Sequence, residues 1–155
     1  LRCLVGSEMC IRDSINTTFL GRFFLSGYLN RMNERQLAWV QEGVNAYKKH
    51  VQPVIGESKP FWPMGLPGWN DKVLALGLDA GDRALATVWS RDSEGGDVRL
   101  HLDRWTGRAG EVSAVYPVDE YAQWPVHWDA ASGELVVTVP SDGGYVSRTF
   151  EVNFN

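Results

Sequence analysis

Lys59-Pro60-Phe61-Trp62-Pro63-Met64-Gly65-Leu66-Pro67-Gly68-Trp69 is the stretch of sequence that decides the fold. It holds three of the seven prolines and two of the seven tryptophans. Each proline lacks a backbone donor and disfavours helix at the preceding residue, so we expect extended chain with turns at Met64-Gly65 and Pro67-Gly68. Large aromatic rings in a stiff connector favour packing between two units. The stretch is therefore predicted to join a helical unit to a β-domain.

The chain after this junction has the period of β-strands. Val98, Leu100 and Leu102 alternate with polar residues, as do the apolar residues near the C-terminus. Short strands, glycine-rich turns and no intervening helix indicate an antiparallel sandwich of two sheets. Six strands are predicted, at residues 73–78, 83–89, 97–102, 111–116, 134–139 and 145–154.

The chain before the junction has the pattern of an α/β unit. The apolar run Phe23 to Ser26 is predicted to be a buried strand that ends at Ser26-Gly27. A helix is predicted over residues 33–51, with Asn33 as N-cap and Gln36 as its capping-box partner. An apolar stripe runs along this helix and consists of Leu37, Val40, Val44, Tyr47 and Val51.

The first fourteen residues do not fit this pattern. Residues 1–14 show neither helical nor strand periodicity, and Glu8, Arg12 and Asp13 interrupt any signal-peptide core. The string resembles the translated read-through of a sequencing-library adapter, as found at the ends of reading frames in metagenomic assemblies. We therefore expect a non-native tail outside the fold, with the natural N-terminus missing. A genuine irregular N-terminus is the alternative.

Composition narrows the class of protein. The chain has 155 residues, of which 44% are hydrophobic and 22% charged, as is usual for a folded globular protein. Its formal net charge is -4, without a basic run, so nucleic acid and membrane surfaces are not expected as partners. Both cysteines, Cys3 and Cys10, lie in the first ten residues, which leaves no cysteine framework in the body of the chain.

Residues that could carry chemistry give little signal. His50, His101 and His127 lack a second ligand at metal-binding spacing, so no metal is predicted. Neither a nucleophile elbow nor a phosphate-binding glycine loop is present, and no cofactor is predicted. The acidic pairs are expected to be turn residues, because each lies beside glycine or proline: Asp79 and Asp82, Asp92 and Glu94, and Asp119-Glu120. No residue is predicted to be catalytic.

The tryptophans allow two interpretations. Trp105, Trp124 and Trp128, with Tyr121, would form a sugar-stacking platform if their rings were exposed. Alternatively, they close the edges and ends of a small sandwich, where amphipathic rings fit well. The second interpretation is favoured, because a small domain without disulfides needs the buried area.

Three stretches carry a resemblance through their order and spacing: Phe19-Leu20-Gly21-Arg22-Phe23-Phe24-Leu25-Ser26-Gly27-Tyr28-Leu29, the helix from Asn33 to Lys49, and Pro60 to Trp69. Together they resemble the C-terminal part of family 36 glycoside hydrolases, chiefly bacterial α-galactosidases. Residues 73–78 and 85–89 continue the resemblance, which covers roughly residues 15–155.

The resemblance implies an α+β fragment in which the last strand and helix of a (β/α)8 barrel precede an antiparallel β-sandwich. Residues 15–56 would be the end of the barrel and residues 57–155 the sandwich with its junction. Ser26 and Gly27 would lie at the edge of the substrate pocket, since barrel active sites form at the C-terminal ends of strands. Phe61, Trp62 and Trp69 would be inter-domain packing residues, for which sugar stacking is the weaker interpretation.

The family cleaves terminal α-galactosides by a retaining double displacement with two aspartates about 5 Å apart. No residue of this sequence matches either aspartate motif, so the fragment itself is expected to be inactive. The resemblance implies an α-galactoside substrate for the full-length parent, allows a homo-oligomer, and makes a bacterial cytoplasm the default location. The alternative function is a non-catalytic carbohydrate-binding or structural β-sandwich module.

Overall fold

The computed structural model describes residues 8–25, 29–91, 94–118, 124–141 and 144–155, and it shows an α+β fold. Two α-helices precede the strands: α1 is Glu8–Phe19 and α2 is Glu34–Ala46, which continues as a π-helix over Tyr47–Val51. The strands are β1 Lys59–Phe61, β2 Val73–Asp79, β3 Arg83–Arg91, β4 Gly96–His101, β5 Gly110–Tyr116, β6 Val126–Asp129, β7 Glu134–Val139 and β8 Tyr145–Phe154.

The strands form two antiparallel sheets, as the sequence predicts. The larger sheet has the order β1-β2-β3-β8-β5 and the smaller has the order β4-β7-β6. Both sheets contribute side chains to one apolar core, which includes Val88, Leu100, Val137 and Phe150, each at most 1% exposed. Burial of these side chains holds the two sheets face to face.

All six predicted strands are confirmed, with ends that differ by at most two residues. The sequence did not predict β1 and β6. β1 has three residues and contains Pro60, which is tolerated because β1 lies at the edge of its sheet. β6 is short and follows Pro125, so its alternation is too brief to be recognised.

The predicted capped helix is also confirmed. The Asn33 side chain accepts from the Gln36 N–H at 2.9 Å, and the Gln36 side chain accepts from the Asn33 N–H at 3.0 Å. These reciprocal bonds satisfy backbone donors that a helix start leaves unpaired. Val40 and Val51 of the predicted stripe are buried, whereas Leu37 is 41% exposed.

Helix α1 lies on the outer face of the larger sheet and corrects the prediction for residues 1–14. Glu8 to Ser14 are the first turns of this helix, and Ile11 is only 3% exposed. The buried stripe of this helix consists of Ile11, Ile15 and Phe19, at four-residue spacing. Charged residues between them mask this helical periodicity in the sequence. The expectation that this segment takes no part in the fold is therefore wrong from Glu8 onward. Its adapter origin stays a prediction.

The predicted buried strand at Phe23 to Ser26 is not formed over its described part. Residues 22–25 are irregular, and the side chains of Phe24 and Leu25 are 64% and 44% exposed. A buried strand needs a neighbouring strand for its backbone groups, and no described strand pairs with this run. Ser26 and Gly27, expected at the edge of a substrate pocket, lie outside the described residues.

Candidate functional site

The junction folds back against both sheets and thereby forms a cleft. Strand β1 pairs with β2 so that Phe61 lies opposite Gly77, where the Phe61 ring occupies the space that a side chain would need. Phe61 also contacts Trp105, with ring centroids 6.1 Å apart. Phe61 is thus a packing residue, but it packs within the β-domain.

The chain after Phe61 is held in place by backbone bonds. The His101 N–H donates to the Pro63 carbonyl at 2.9 Å, which ties the junction to the end of β4. The Gly65 N–H donates to the Trp62 carbonyl at 3.0 Å, and Gly65 has a φ of 80°, which glycine adopts without strain. The predicted turn at Met64-Gly65 is therefore confirmed.

Trp62 and Trp69, which the resemblance assigns to inter-domain packing, are both exposed in this structure. Trp62 is 45% exposed and Trp69 is 94% exposed. Turns lie on either side of Pro67, and the Trp69 side chain extends into solvent. That Phe61, Trp62 and Trp69 also pack against another domain stays a prediction.

Trp62 forms one wall of a cleft of about 420 Å³ between the junction and the chain that follows β4. Trp105, which is 2% exposed, and Phe61 contribute apolar surface to it. The cleft is also lined by five ionisable residues, namely Lys59, Asp79, His101, Asp103 and Arg104. Concave surfaces that combine aromatic rings with a few polar groups are typical of small-molecule sites.

The charges in this cleft balance. Arg104 bonds to Asp79, and its guanidinium also lies 5.6 Å from the centre of the Trp105 ring. Counting Lys59 and Arg104 against Asp79 and Asp103, with His101 neutral, gives a formal charge of zero. The cleft therefore offers hydrogen-bond donors and acceptors without a net electrostatic preference for anions or cations.

A second groove, of about 460 Å³, lies on the other side of Trp62. It is mostly apolar and is lined by Leu74, Leu76, Trp89 and Tyr145. The groove continues the outer face of the larger sheet where α1 does not cover it.

A buried polar layer lies between α1 and the larger sheet, and no local sequence pattern predicts it. The Thr149 hydroxyl donates to Asn16 Oδ1 at 2.7 Å, so the Thr87 hydroxyl, 2.7 Å from the Thr149 oxygen, must donate in turn to Thr149. The Asn16 amide donates to the Ser147 hydroxyl at 3.0 Å, and that hydroxyl donates to Asp13 at 2.6 Å. The result is one directed chain of hydrogen bonds from β3 to α1.

Two carboxyl groups in this region form hydrogen bonds or ion pairs with neighbouring side chains. Burial raises the pKa of Asp13, and the Ser147 hydroxyl and the charge of Arg148 offset only part of that effect. Glu151 is paired with His50 at 2.9 Å and with Arg83 at 3.1 Å. These contacts fasten α1 and the π-helix to the sheet, which is a structural role.

The suggested sugar-stacking platform is wrong for two of its members. Trp105 and Trp124 are 2% and 4% exposed, and Trp105 stacks on Phe154 with ring centroids 4.9 Å apart. The indole N–H of Trp128 donates to the Arg108 carbonyl at 2.9 Å. These rings fill the sandwich, as the favoured interpretation expected, while Tyr121 lies outside the described residues.

Within the described ranges, no three His, Cys, Asp or Glu side chains converge as metal ligands would. None of the helices in those ranges combines the length and apolarity that crossing a bilayer takes. Compared with protein-family models and with curated proteins, the chain matches none of them.

Proposed function

We propose that this chain is the C-terminal part of a retaining glycoside hydrolase resembling the α-galactosidases of family 36. In this proposal residues 15–56 belong to the end of a (β/α)8 barrel, and the two sheets form the accessory domain that follows. The observation that carries the proposal is the order of elements: a capped helix, a proline- and aromatic-rich junction, and then an antiparallel two-sheet domain. From the capped helix onward this order agrees with the order that the sequence resemblance implies, whereas the strand implied before the helix is not formed over residues 22–25.

An uncovered apolar surface on the helical part supports the proposal. Phe24, Leu25 and Leu37 are 64%, 44% and 41% exposed. Phe24 and Leu25 line a groove of about 310 Å³ between α1 and α2, together with buried Ile11 and Ile15. Exposed apolar patches of this kind mark interaction surfaces. In the parent enzyme, earlier elements of the barrel would cover this apolar surface, and one of its strands would pair with residues 22–25.

The catalytic chemistry is assigned to the part of the parent that precedes this chain. A retaining mechanism needs two carboxyl groups about 5 Å apart, one as nucleophile and one as acid/base. Glu151 is paired with His50 and Arg83, and Asp13 accepts from the Ser147 hydroxyl between α1 and the larger sheet. The chain alone is therefore proposed to be inactive, with an α-galactoside as the substrate of the parent, for which the resemblance allows a homo-oligomer.

Extension of the gene upstream tests the proposal. The recovered reading frame should encode barrel strands that end in two aspartates, and the extended protein should hydrolyse an aryl α-galactoside with retention of configuration. Replacing either aspartate by asparagine should abolish turnover, and the present 155-residue chain should show none. An upstream frame without barrel strands, or an extended protein that cleaves no α-galactoside, would overturn the proposal.

A further inference from the structure

We propose that the cleft beside Trp62 binds a neutral pyranose saccharide. This inference goes beyond the proposed hydrolase function and does not depend on it, because every residue that carries it lies in the β-domain or its junction. It also differs from the platform of Trp105, Trp124 and Trp128, whose rings pack in the sandwich.

The first step is the environment of the Trp62 ring. Trp62 is 45% exposed, and it lines both this cleft and the second groove. The C–H face of a pyranose is flat and apolar, so stacking on an indole removes apolar surface of both partners from water. Trp69 is more exposed but does not line the cleft, so exposure alone does not define the site.

The second step is the set of polar groups on the remaining walls. Asp103 offers carboxylate oxygens, Arg104 and Lys59 offer N–H groups, and His101 offers either. Such groups match the hydroxyls of a sugar, each of which both donates and accepts. The formal charge of zero argues for a neutral ligand over a sugar phosphate or a uronic acid, because the cleft has no excess of cationic side chains to compensate the charge of such a ligand.

The third step is preorganisation. Trp105 is buried, stacks on Phe154, and its indole N–H donates to the Gly81 carbonyl at 2.9 Å. The bond from His101 to Pro63 fixes the junction on the opposite side. Because these walls are already ordered, binding does not have to order them. The volume of about 420 Å³ lies within the usual range for ligand sites.

The test is a titration of the 155-residue chain with methyl α-galactopyranoside, methyl α-glucopyranoside and methyl α-mannopyranoside, followed by calorimetry and by the indole N–H signals in NMR spectra. Saturable binding with a dissociation constant on the order of 1 mM is expected for an open, single-ring site. The indole signal of Trp62 should shift and that of Trp69 should not. Galactose 6-phosphate should bind at least about tenfold more weakly, which corresponds to about 1.4 kcal/mol.

Trp62→Ala and Trp69→Ala form a matched pair, because both replace an exposed indole of the same junction. Trp62→Ala should weaken binding at least about tenfold, while Trp69→Ala should stay within about twofold of the parent chain. Trp62→Phe keeps an aromatic face and should retain part of the affinity. Circular dichroism confirms that each variant is folded.

Three results would overturn the proposal. The first is the absence of saturable binding of all three neutral saccharides by the folded chain. The second is equal affinity of Trp62→Ala and Trp69→Ala, and the third is preferential binding of the phosphorylated sugar. None of these results bears on whether an extended protein hydrolyses α-galactosides.

Discussion

The side-chain amide of Asn16 donates to Ser147 twice, at 3.1 Å to its carbonyl and at 3.0 Å to its hydroxyl, although the two residues are 131 positions apart. Both residues are fully buried. Because hydrogen bonds depend on distance and angle whereas apolar contacts tolerate sliding, these bonds fix where α1 lies along β8. The polar layer therefore sets the position of the helix, and the surrounding apolar residues supply burial.

Replacing Asn16 by alanine should destabilise the protein strongly. Asn16→Ala leaves the Thr149 hydroxyl without its acceptor and the Ser147 hydroxyl without the donor that Asn16 supplies, in a site that water does not reach. We expect a loss of about 2–3 kcal/mol in the free energy of unfolding, measured by urea denaturation. Asn45→Ala is the control, since Asn45 is an exposed residue of α2 that accepts from Gln41, and it should change stability by less than about 0.5 kcal/mol. Equal effects of the two substitutions would contradict this role of Asn16.

Gly43 is required for the close approach of α1 and α2. A Cβ at this position would lie 2.7 Å from Cγ2 of Ile15, which is 5% exposed and, being β-branched, cannot rotate freely. Gly43→Ala should therefore lower the free energy of unfolding by about 1–3 kcal/mol, even though alanine favours helix by about 1 kcal/mol over glycine. Gly56→Ala has open space around it and should be nearly neutral. A rise in melting temperature for Gly43→Ala would show that α1 and α2 can move apart to accept the added methyl group without a loss of stability.

The elements that the sequence predicted are those whose signals are local. Asn33 and Gln36 define a helix start within four residues, and residues 97–102 alternate on their own. The features that the sequence did not predict depend on contacts between residues that are distant in the chain. Ser147 and Thr149 are polar residues of a strand, which would ordinarily indicate a face open to water, yet α1 covers them. No local pattern contains that information.

The fit between Phe61 and Gly77 can be measured as a coupling energy. Ring atoms of Phe61 lie 2.4 Å and 2.5 Å from the position of a Cβ on Gly77, so Gly77→Ala must displace the ring. We expect Gly77→Ala to cost about 2 kcal/mol in the parent chain and much less in a Phe61→Ala background, with a coupling of at least about 1 kcal/mol. Urea denaturation of the two single variants and the double variant gives this value. Additive effects would show that β1 does not hold the ring against Gly77.

The sequence predicted only part of the candidate site. Proline and aromatic content singled out Trp62, but the predicted role was packing between domains. The exposure of Trp62 depends on the bond from His101 to Pro63 and on the left-handed turn at Gly65, which direct the chain across the end of β4. His101 and Asp103 lie about 40 residues after the junction that approaches them, and no local pattern of the sequence indicates that contact.

Asp13 should make stability depend on pH in the direction opposite to most carboxyl groups. Burial raises its pKa above the ordinary value of 3.8, so between 3.8 and the folded-state pKa the folded protein binds more protons than the unfolded chain. The contribution of this group to stability therefore falls as pH rises through that interval and stays unfavourable above it.

The substitution Asp13→Asn tests this pH dependence, because asparagine keeps an oxygen that can accept from the Ser147 hydroxyl but cannot ionise. Asp13→Asn should accordingly melt a few degrees higher than the parent chain at pH 7, and the difference should shrink as the pH is lowered toward 4. Thermal unfolding followed at pH 7, 6, 5 and 4 measures this, and a difference that is constant or grows toward low pH would mean that the carboxylate form of Asp13 stabilises the helix on the sheet.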